Sequence, residues 1–307
     1  MSKATTSWGW ASKLLAISIS ALLSTNSIAA DFKTTLQAAE KGSAADQFAL
    51  AQLYDFGDGV KQDFTKAVEW YLKAGKQGNA DAQFSLGVAY ASGDGVEEDK
   101  VKAADWYSKA AEQGRTDAQL SLADMYVSGD GVTKNPTKAF DLYQRAAEKG
   151  LEYAQYALGK AYEQGIGTVQ NYEEAVKWYK EAIAQDNMDA RHALADMYYT
   201  GVGVNQNHSE AVKLYKEVAE YGDAATQSRL GLMYYYGEGV TKDDKEAARL
   251  FKLAAKQGNA VGQFALGSMY EEGAGVEAAS KSQAKNWYSK ACEQGYEGGC
   301  AGLERVS

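Results

Sequence analysis

Residues that could act as nucleophiles or general bases are scarce in this chain. Ser282 and Lys285 form a Ser-x-x-Lys sequence, the spacing of the serine nucleophile and lysine in β-lactam-reactive enzymes. The lysine-threonine-glycine element of those enzymes is absent, and Ser282 is expected to lie on a capped surface helix. We therefore predict no catalytic residue.

Candidate metal ligands are equally few. The two histidines, His192 and His208, fall at separate places in the sequence, whereas a transition-metal site brings several nitrogen or sulfur ligands together. Asp58, Asp94 and Asp130 stand in Gly-Asp-Gly sequences that lack the alternating acidic ligands and terminal glutamate of a calcium loop. Turn formation explains these aspartates better, and the sequence predicts no metal and no cofactor.

The aspartates belong to a Gly-x-Gly sequence that recurs every 36 residues. Its seven copies are Gly57–Gly59, Gly93–Gly95, Gly129–Gly131, Gly165–Gly167, Gly201–Gly203, Gly237–Gly239 and Gly273–Gly275. A fixed period of this length indicates a continuous array of structural repeats.

Each repeat is predicted to be a hairpin of two helices. In the unit of residues 80–115, Ala82, Leu86, Ala89 and Tyr90 have the spacing of one apolar stripe on an α-helix. A glycine then ends this helix, because glycine adopts the left-handed conformation without a Cβ clash. A second stripe, of alanines and aromatic residues, follows the loop.

The second helix of each hairpin carries signals for its two ends. Preferred N-cap residues precede the seven helices, at Asp63, Asp99, Asn135, Asn171, Asn207, Asp243 and Ser280. Glu174, Glu210 and Glu246 stand three residues after their caps and predict capping boxes. Glycines end six of these helices, and Asp186 takes the equivalent place in the fourth.

Residues 1–30 stand outside the array and are predicted to be a secretory signal peptide. Lys3 and Lys13 precede an apolar run over residues 14–23, and small residues follow at 27–30. These are the three parts of a secretory signal. This run is shorter than the roughly 20 residues that span a bilayer. We expect a periplasmic or secreted mature chain without a membrane span, and an uncleaved anchor is the alternative.

The mature chain is predicted to contain an N-terminal half-repeat at residues 31–43, seven repeats over 44–295, and a C-terminal half-repeat and tail over 296–307. Removing the two leader lysines changes the formal charge from -9 to about -11. Nucleic-acid binding needs a basic face, so this acidic chain is predicted to bind no nucleic acid.

The pattern Ala-x-x-x-Leu-Gly-x-x-Tyr, Gly-x-Gly-Val, Ala-x-x-Trp-Tyr-x-x-Ala-Ala-x-x-Gly resembles the Sel-1-like repeat family, a relative of tetratricopeptide repeats. In the second unit it is carried by Ala82, Leu86, Gly87, Tyr90, Gly93, Gly95, Val96, Ala103, Trp106, Tyr107, Ala110, Ala111 and Gly114. The resemblance covers nearly all of residues 38–303. It implies an all-α, right-handed superhelical α/α solenoid of about seven 36-residue hairpins, with half-repeats at both ends. It also implies a scaffold for proteins or peptides, since the members are mostly adaptors.

The two cysteines are similar to those of the cysteine-rich branch of this family, which joins consecutive helices by disulfides at the same eight-residue offset. The resemblance therefore implies a disulfide between Cys292 and Cys300, and a pair of free buried thiols is the alternative. That branch has been linked to penicillin binding and β-lactam hydrolysis.

Equivalent positions of the seven repeats form columns that can be compared. Columns that stay apolar belong to the core, so columns whose residue type varies are predicted to be exposed and to offer a contact surface. Two such columns close the first helices and bring Tyr199, Tyr235 and Tyr236 into adjacent units, beside His192 and Arg229. Tyrosine and arginine are enriched at interface hot spots. We predict that these five residues, called the tyrosine patch below, bind a protein. The alternative is that the aromatic rings only cover the seams between repeats.

The leading function is therefore an exported, non-enzymatic repeat scaffold that mediates protein–protein interaction in envelope assembly, signalling or host contact. An envelope ligand binder or weak hydrolase of β-lactam or peptidoglycan-like compounds is the alternative. A purely structural spacer would have no specific partner.

Overall fold

Helices make up all the regular structure of residues 25–307, the part of the chain that the computed structural model describes; side chains are described from Phe32. The helices are α1 (Thr25–Glu40), α2 (Ala44–Phe56), α3 (Phe64–Lys76), α4 (Ala80–Ser92), α5 (Lys100–Glu112), α6 (Thr116–Ser128), α7 (Pro136–Ala147), α8 (Glu152–Gln164), α9 (Tyr172–Ile183), α10 (Met188–Thr200), α11 (His208–Glu220), α12 (Ala224–Tyr236), α13 (Asp244–Lys256), α14 (Ala260–Glu272), α15 (Lys281–Glu293) and α16 (Glu297–Val306). The predicted signal peptide lies mostly outside the described residues. Within them, none of the helices has the length and apolar character needed to cross a bilayer.

The helices pair into seven hairpins, numbered 1 to 7 from α2–α3 to α14–α15, with α1 packed on the first and α16 on the last. This arrangement confirms the predicted all-α repeat fold. The chain forms two compact units, one up to Ala154 with residues 166–168, the other from Gln155 without those three residues. Leu50 and Tyr107 are buried in the first unit, and Tyr179 and Phe251 in the second.

The two glycines of each loop have different tasks, as hairpin 2 shows. Gly93 ends α4 in the left-handed conformation, with a φ of 83°. Gly95 has a φ of 73°, and a Cβ on it would overlap the main-chain carbonyl of Phe64, the first residue of the preceding hairpin's second helix. The second glycine is therefore required by close packing between successive hairpins as well as by its φ.

The predicted N-caps are confirmed, but the predicted capping boxes are wrong. All seven cap side chains accept a hydrogen bond from a main-chain N–H of the first helical turn. In a capping box the glutamate would bond the N–H of the cap residue, yet the Asn171 N–H donates to the carbonyl of Tyr162. Glu174 pairs instead with Lys177. The return of the chain onto the first helix thus satisfies the cap N–H.

Buried glutamines link successive hairpins. In hairpin 2, the Gln83 side chain donates to the carbonyl of Gly75 in the preceding hairpin at 3.0 Å. Gln83 also accepts a hydrogen bond from Gln113, at the end of α5, at 2.7 Å. Equivalent pairs occur in hairpins 1, 4, 6 and 7. Each pair satisfies a buried amide that would otherwise destabilise the array.

Candidate functional site

The residues of the tyrosine patch lie on the first helices of hairpins 5 and 6. His192 and Tyr199 are on α10, and Arg229, Tyr235 and Tyr236 are on α12. Tyr236 is the most exposed of the three tyrosines, with 66% of its surface accessible, whereas Tyr199 and Tyr235 are partly buried. All five residues belong to the second compact unit.

Tyr199 is held on three sides. Its hydroxyl donates to Glu238 in the loop of hairpin 6 at 3.1 Å, and its ring stacks on His208 with centroids 5.1 Å apart. The guanidinium carbon of Arg229 stands 5.2 Å from the ring centroid. Burial, with help from Glu238, raises the pKa of the Tyr199 hydroxyl, which therefore stays a hydrogen-bond donor at neutral pH.

Asp196 connects the rest of this group. It accepts a hydrogen bond from the buried Tyr215, and its carboxylate oxygens stand 3.8 Å from the Arg229 Nε and 3.7 Å from the His192 Nδ1. The His192 ring in turn packs against Tyr215 at 5.9 Å. Asp196, Arg229, His192 and Tyr215 thus form one partly exposed cluster, which Arg229 joins to Tyr199 and His208.

Tyr235 and Tyr236 form the second group of the tyrosine patch. Their rings meet edge to face, with centroids 5.0 Å apart. The Tyr235 hydroxyl donates to Glu272 of hairpin 7 at 2.9 Å, and the Lys242 ammonium stands 5.1 Å from its ring centroid. The hydrogen bond to Glu272, more than burial, raises the pKa of Tyr235.

Buried tyrosines of the second helices repeat this pairing with carboxylates. The pairs are Tyr71–Asp55, Tyr143–Asp124, Tyr179–Glu163, Tyr215–Asp196 and Tyr288–Glu271. Burial is the main cause that raises the pKa of each of these tyrosines. The carboxylate side chains in the last turns of these first helices are therefore held in position by hydrogen bonds from the neutral hydroxyls of buried tyrosines on the second helices.

The predicted exposure of the varying columns holds for one column only. The column that contains Tyr236 is exposed in every hairpin. The column that contains Tyr199 and Tyr235 is partly buried, and Ala91, its member in hairpin 2, is 2% exposed. Tyr199 and Tyr235 of this column bond to carboxylates of the next hairpin, whereas its acidic members Asp55, Glu163 and Glu271 bond to a tyrosine of their own hairpin. Both kinds of contact reduce the exposure of the column.

The other candidate residues stand apart from this surface. Cys292 and Cys300 form a disulfide between α15 and α16. Ser282 is exposed in the first turn of α15, where its Oγ lies 3.2 Å from that of Ser280. Lys285 is exposed as well. Ser282 thus takes part in the polar start of a surface helix.

Several residues of the cluster were missed by sequence reasoning. His208, Glu238 and Glu272 reach the patch tyrosines from positions up to 39 residues away in the chain, and Asp196 reaches Arg229 and His192. The sequence contained a usable signal for the two glutamates. Tyr199 and Tyr235 stand near the ends of successive first helices, and an acidic residue follows each of them about one repeat later, at Glu238 and Glu272. Comparing equivalent positions of the repeats does not reveal this relation, because the tyrosine and the acid occupy different positions of two repeats.

Comparison with solved structures shows what the chain is similar to. It shares 36% identity with c5321, a protective antigen of uropathogenic Escherichia coli strains that displays an SLR fold, with a TM-score of 0.84. The alignment covers 90% of this chain but only 59% of the antigen. A Sel1 repeat protein from Oxalobacter formigenes is 32% identical, with a TM-score of 0.72, over 93% of this chain and 82% of the other. No curated protein matches the chain.

The model of the Sel1 repeat family matches seven consecutive segments, at residues 44–79, 80–114, 116–151, 152–187, 189–223, 224–259 and 260–296. These segments coincide with the seven hairpins and contain every residue of the tyrosine patch. The chain therefore belongs to the Sel1 repeat family.

Proposed function

We propose that the protein is an exported, non-enzymatic scaffold that binds a protein partner through the tyrosine patch. The observation that carries this proposal is the construction of the patch: aromatic rings and charged groups remain accessible, while the hydroxyls of Tyr199 and Tyr235 are fixed by hydrogen bonds to the carboxylates of Glu238 and Glu272. Side chains that are already ordered lose less entropy on binding, which favours a specific interface.

Export is supported by two independent features. The sequence of residues 1–30 has the three-part layout of a secretory signal. The Cys292–Cys300 disulfide suits an oxidising compartment such as the periplasm or the cell exterior. We therefore place the scaffold in the envelope or outside the cell, where it would serve assembly, signalling or host contact.

The test is partner capture followed by quantitative binding. The purified protein is immobilised and exposed to envelope extract and culture fluid, and a captured protein is identified, produced separately and titrated by calorimetry. We expect Tyr199→Ala and Tyr235→Ala each to weaken binding by about tenfold or more, as truncated hot-spot aromatics do.

The control is Tyr221→Ala, which removes a tyrosine that is 75% exposed in the turn after α11, outside the patch. Binding should stay within about twofold of the wild-type value, as expected for a residue outside the hot spot. Equal affinities for the wild type and both patch variants would refute the assignment of the patch. The absence of any saturable partner would favour the spacer function.

A further inference from the structure

We propose that the tyrosine patch recognises a basic segment of its partner, with arginine or lysine side chains seated on its tyrosine rings beside carboxylates. This inference rests on the proposed function and names the chemistry of the partner.

The protein already contains the recognition geometry in intramolecular form. Tyr199 has the Arg229 guanidinium over its ring and the Glu238 carboxylate at its hydroxyl. One hairpin later, Tyr235 has the Lys242 ammonium near its ring and Glu272 at its hydroxyl. A cation on a tyrosine face with an oriented carboxylate nearby is therefore a repeated unit of this surface. Both contacts stabilise positive charge.

Tyr236 lacks the enclosure of the other two tyrosines. Its ring packs edge to face on Tyr235, and 66% of its surface is open to solvent. Glu238 follows it by two residues, and Glu272 is bonded to the neighbouring Tyr235. A cationic side chain arriving from outside would find at Tyr236 an aromatic ring and nearby carboxylates, the two kinds of group that Arg229 contacts in Tyr199 and Asp196.

The charge balance of the surface favours a positive partner. Among the described residues, four carboxylates lie in or around the patch, namely Asp196, Glu238, Asp244 and Glu272. Two cations of the same part of the chain, Arg229 and Lys242, stand over the tyrosine rings and pair with Asp196 and Asp244, which leaves Glu238 and Glu272 bonded to tyrosine hydroxyls. The whole chain also carries a formal charge of -9, which speeds the approach of basic partners and repels acidic ones.

The experiment measures binding of a defined basic probe to the full protein. The probe is a fluorescein-labelled peptide of about twelve residues in which arginine alternates with serine, and the assay is fluorescence anisotropy at low ionic strength. A second peptide carries citrulline, the neutral isostere of arginine, at the same positions. We expect saturable binding of the arginine peptide and at least about tenfold weaker binding of the citrulline peptide, because the charge-assisted contacts are lost.

Two variants locate the site. Glu272→Gln keeps an oxygen for the Tyr235 hydroxyl but removes the charge, and Tyr236→Ala removes the open ring. Each should weaken binding of the arginine peptide by at least about fivefold, consistent with a cation–π or charge-assisted contact. Circular dichroism spectra like that of the wild type would show that both variants fold.

Matched controls separate recognition from general acidity. Glu181→Gln makes the same charge change at an exposed site on α9, and Tyr221→Ala removes an exposed tyrosine elsewhere. Both should bind the arginine peptide within about twofold of the wild type, as expected for general electrostatic attraction. Equal losses in patch and control variants would overturn the inference, because binding would then follow net charge alone.

The inference and the proposed function fail in different ways. If the arginine peptide does not bind, but a captured partner is lost with Tyr199→Ala and Tyr235→Ala, the scaffold function stands and the basic chemistry is refuted. Preferential binding of a glutamate-for-arginine version of the peptide would also refute it.

Discussion

In the loops of hairpins 2 to 7, the second glycine should be far less replaceable than the first, although both have positive φ. In hairpin 2, Gly93→Ala and Gly95→Ala impose the same left-handed strain, about 1–2 kcal/mol for an L-residue. Part of this cost, about 0.4–1 kcal/mol, is offset because alanine restricts the unfolded chain. A Cβ at Gly93 would meet only ordinary contacts, since the nearest atoms would lie 3.5 Å away, in Glu98. We expect Gly93→Ala to destabilise the protein by about 1 kcal/mol on these figures.

Gly95→Ala must in addition displace main-chain atoms of Phe64, because its Cβ would overlap their carbonyl. Forcing extra atoms into a packed contact costs about 1–3 kcal/mol, so the total is expected to be about 2–4 kcal/mol. The measurement is urea unfolding of each full-length variant, followed by circular dichroism in the far ultraviolet. Gly78→Ala, with a φ of 90° and no atom within 4 Å of its Cβ, is the strain-only control. Equal losses of stability for all three variants would refute the packing argument.

Three further predictions concern stability. The buried Oε1 of Gln119 has no hydrogen-bond partner, whereas the equivalent glutamine of five other hairpins accepts a bond from a side-chain amide. Lys149→Gln would supply that amide donor and should stabilise the protein by about 1 kcal/mol in urea unfolding. A neutral or destabilising effect would contradict this. Replacing the two linked cysteines, Cys292 and Cys300, by serine should lower the unfolding free energy by about 2.5 kcal/mol on the chain-entropy estimate for a loop of this size, and an unchanged midpoint would argue against it. Hydrogen bonds from the arginine of α16 lower the pKa of Glu271 to about 2 from 4.5, so its contribution to stability is present above about pH 4.5 and lost as the pH falls toward 2. The difference in melting temperature between the wild type and Glu271→Gln should therefore shrink over that range, and a constant difference would disprove the ion-pair assignment.

The sequence was sufficient to predict the hairpins because their signals are local. The glycines of each loop, the N-cap residues and the apolar stripes all act within one or two helical turns, so a single repeat contains them. Seven copies in register then separate these signals from chance. The same locality explains the error on capping boxes: Glu174 has the right spacing from Asn171, but the competing acceptor, the carbonyl of Tyr162, comes from the preceding helix.

The contacts of the candidate site could not be predicted in the same way because they cross between repeats. Tyr199 and Glu238 are 39 residues apart, and Tyr235 and Glu272 are 37 apart. Glu238 lies in the loop of the next hairpin and Glu272 at the end of its first helix, and the period of the repeat does not specify how closely these two segments approach the neighbouring hairpin. The comparison of equivalent positions therefore grouped these tyrosines as a candidate surface but did not predict the carboxylates that orient Tyr199 and Tyr235.

Hairpin 5 combines departures from the repeat in its core with two of the five residues of the tyrosine patch, His192 and Tyr199. The other three lie on hairpin 6, which keeps its glutamine pair. Where most other hairpins have a pair of glutamines, hairpin 5 has Arg191 and Tyr221, and the buried Arg191 pairs with Glu217 and with Asp186. Asp186 itself holds the left-handed position that glycine has elsewhere, with a φ of 64°. Because each hairpin contacts mainly its neighbours, such a local exchange of amide bonds for ion pairs need not disturb the rest of the array. Repeat architecture thus allows hairpin 5 to change the chemistry of its core while hairpin 6, which carries the rest of the patch, keeps the common core pattern and preserves the fold.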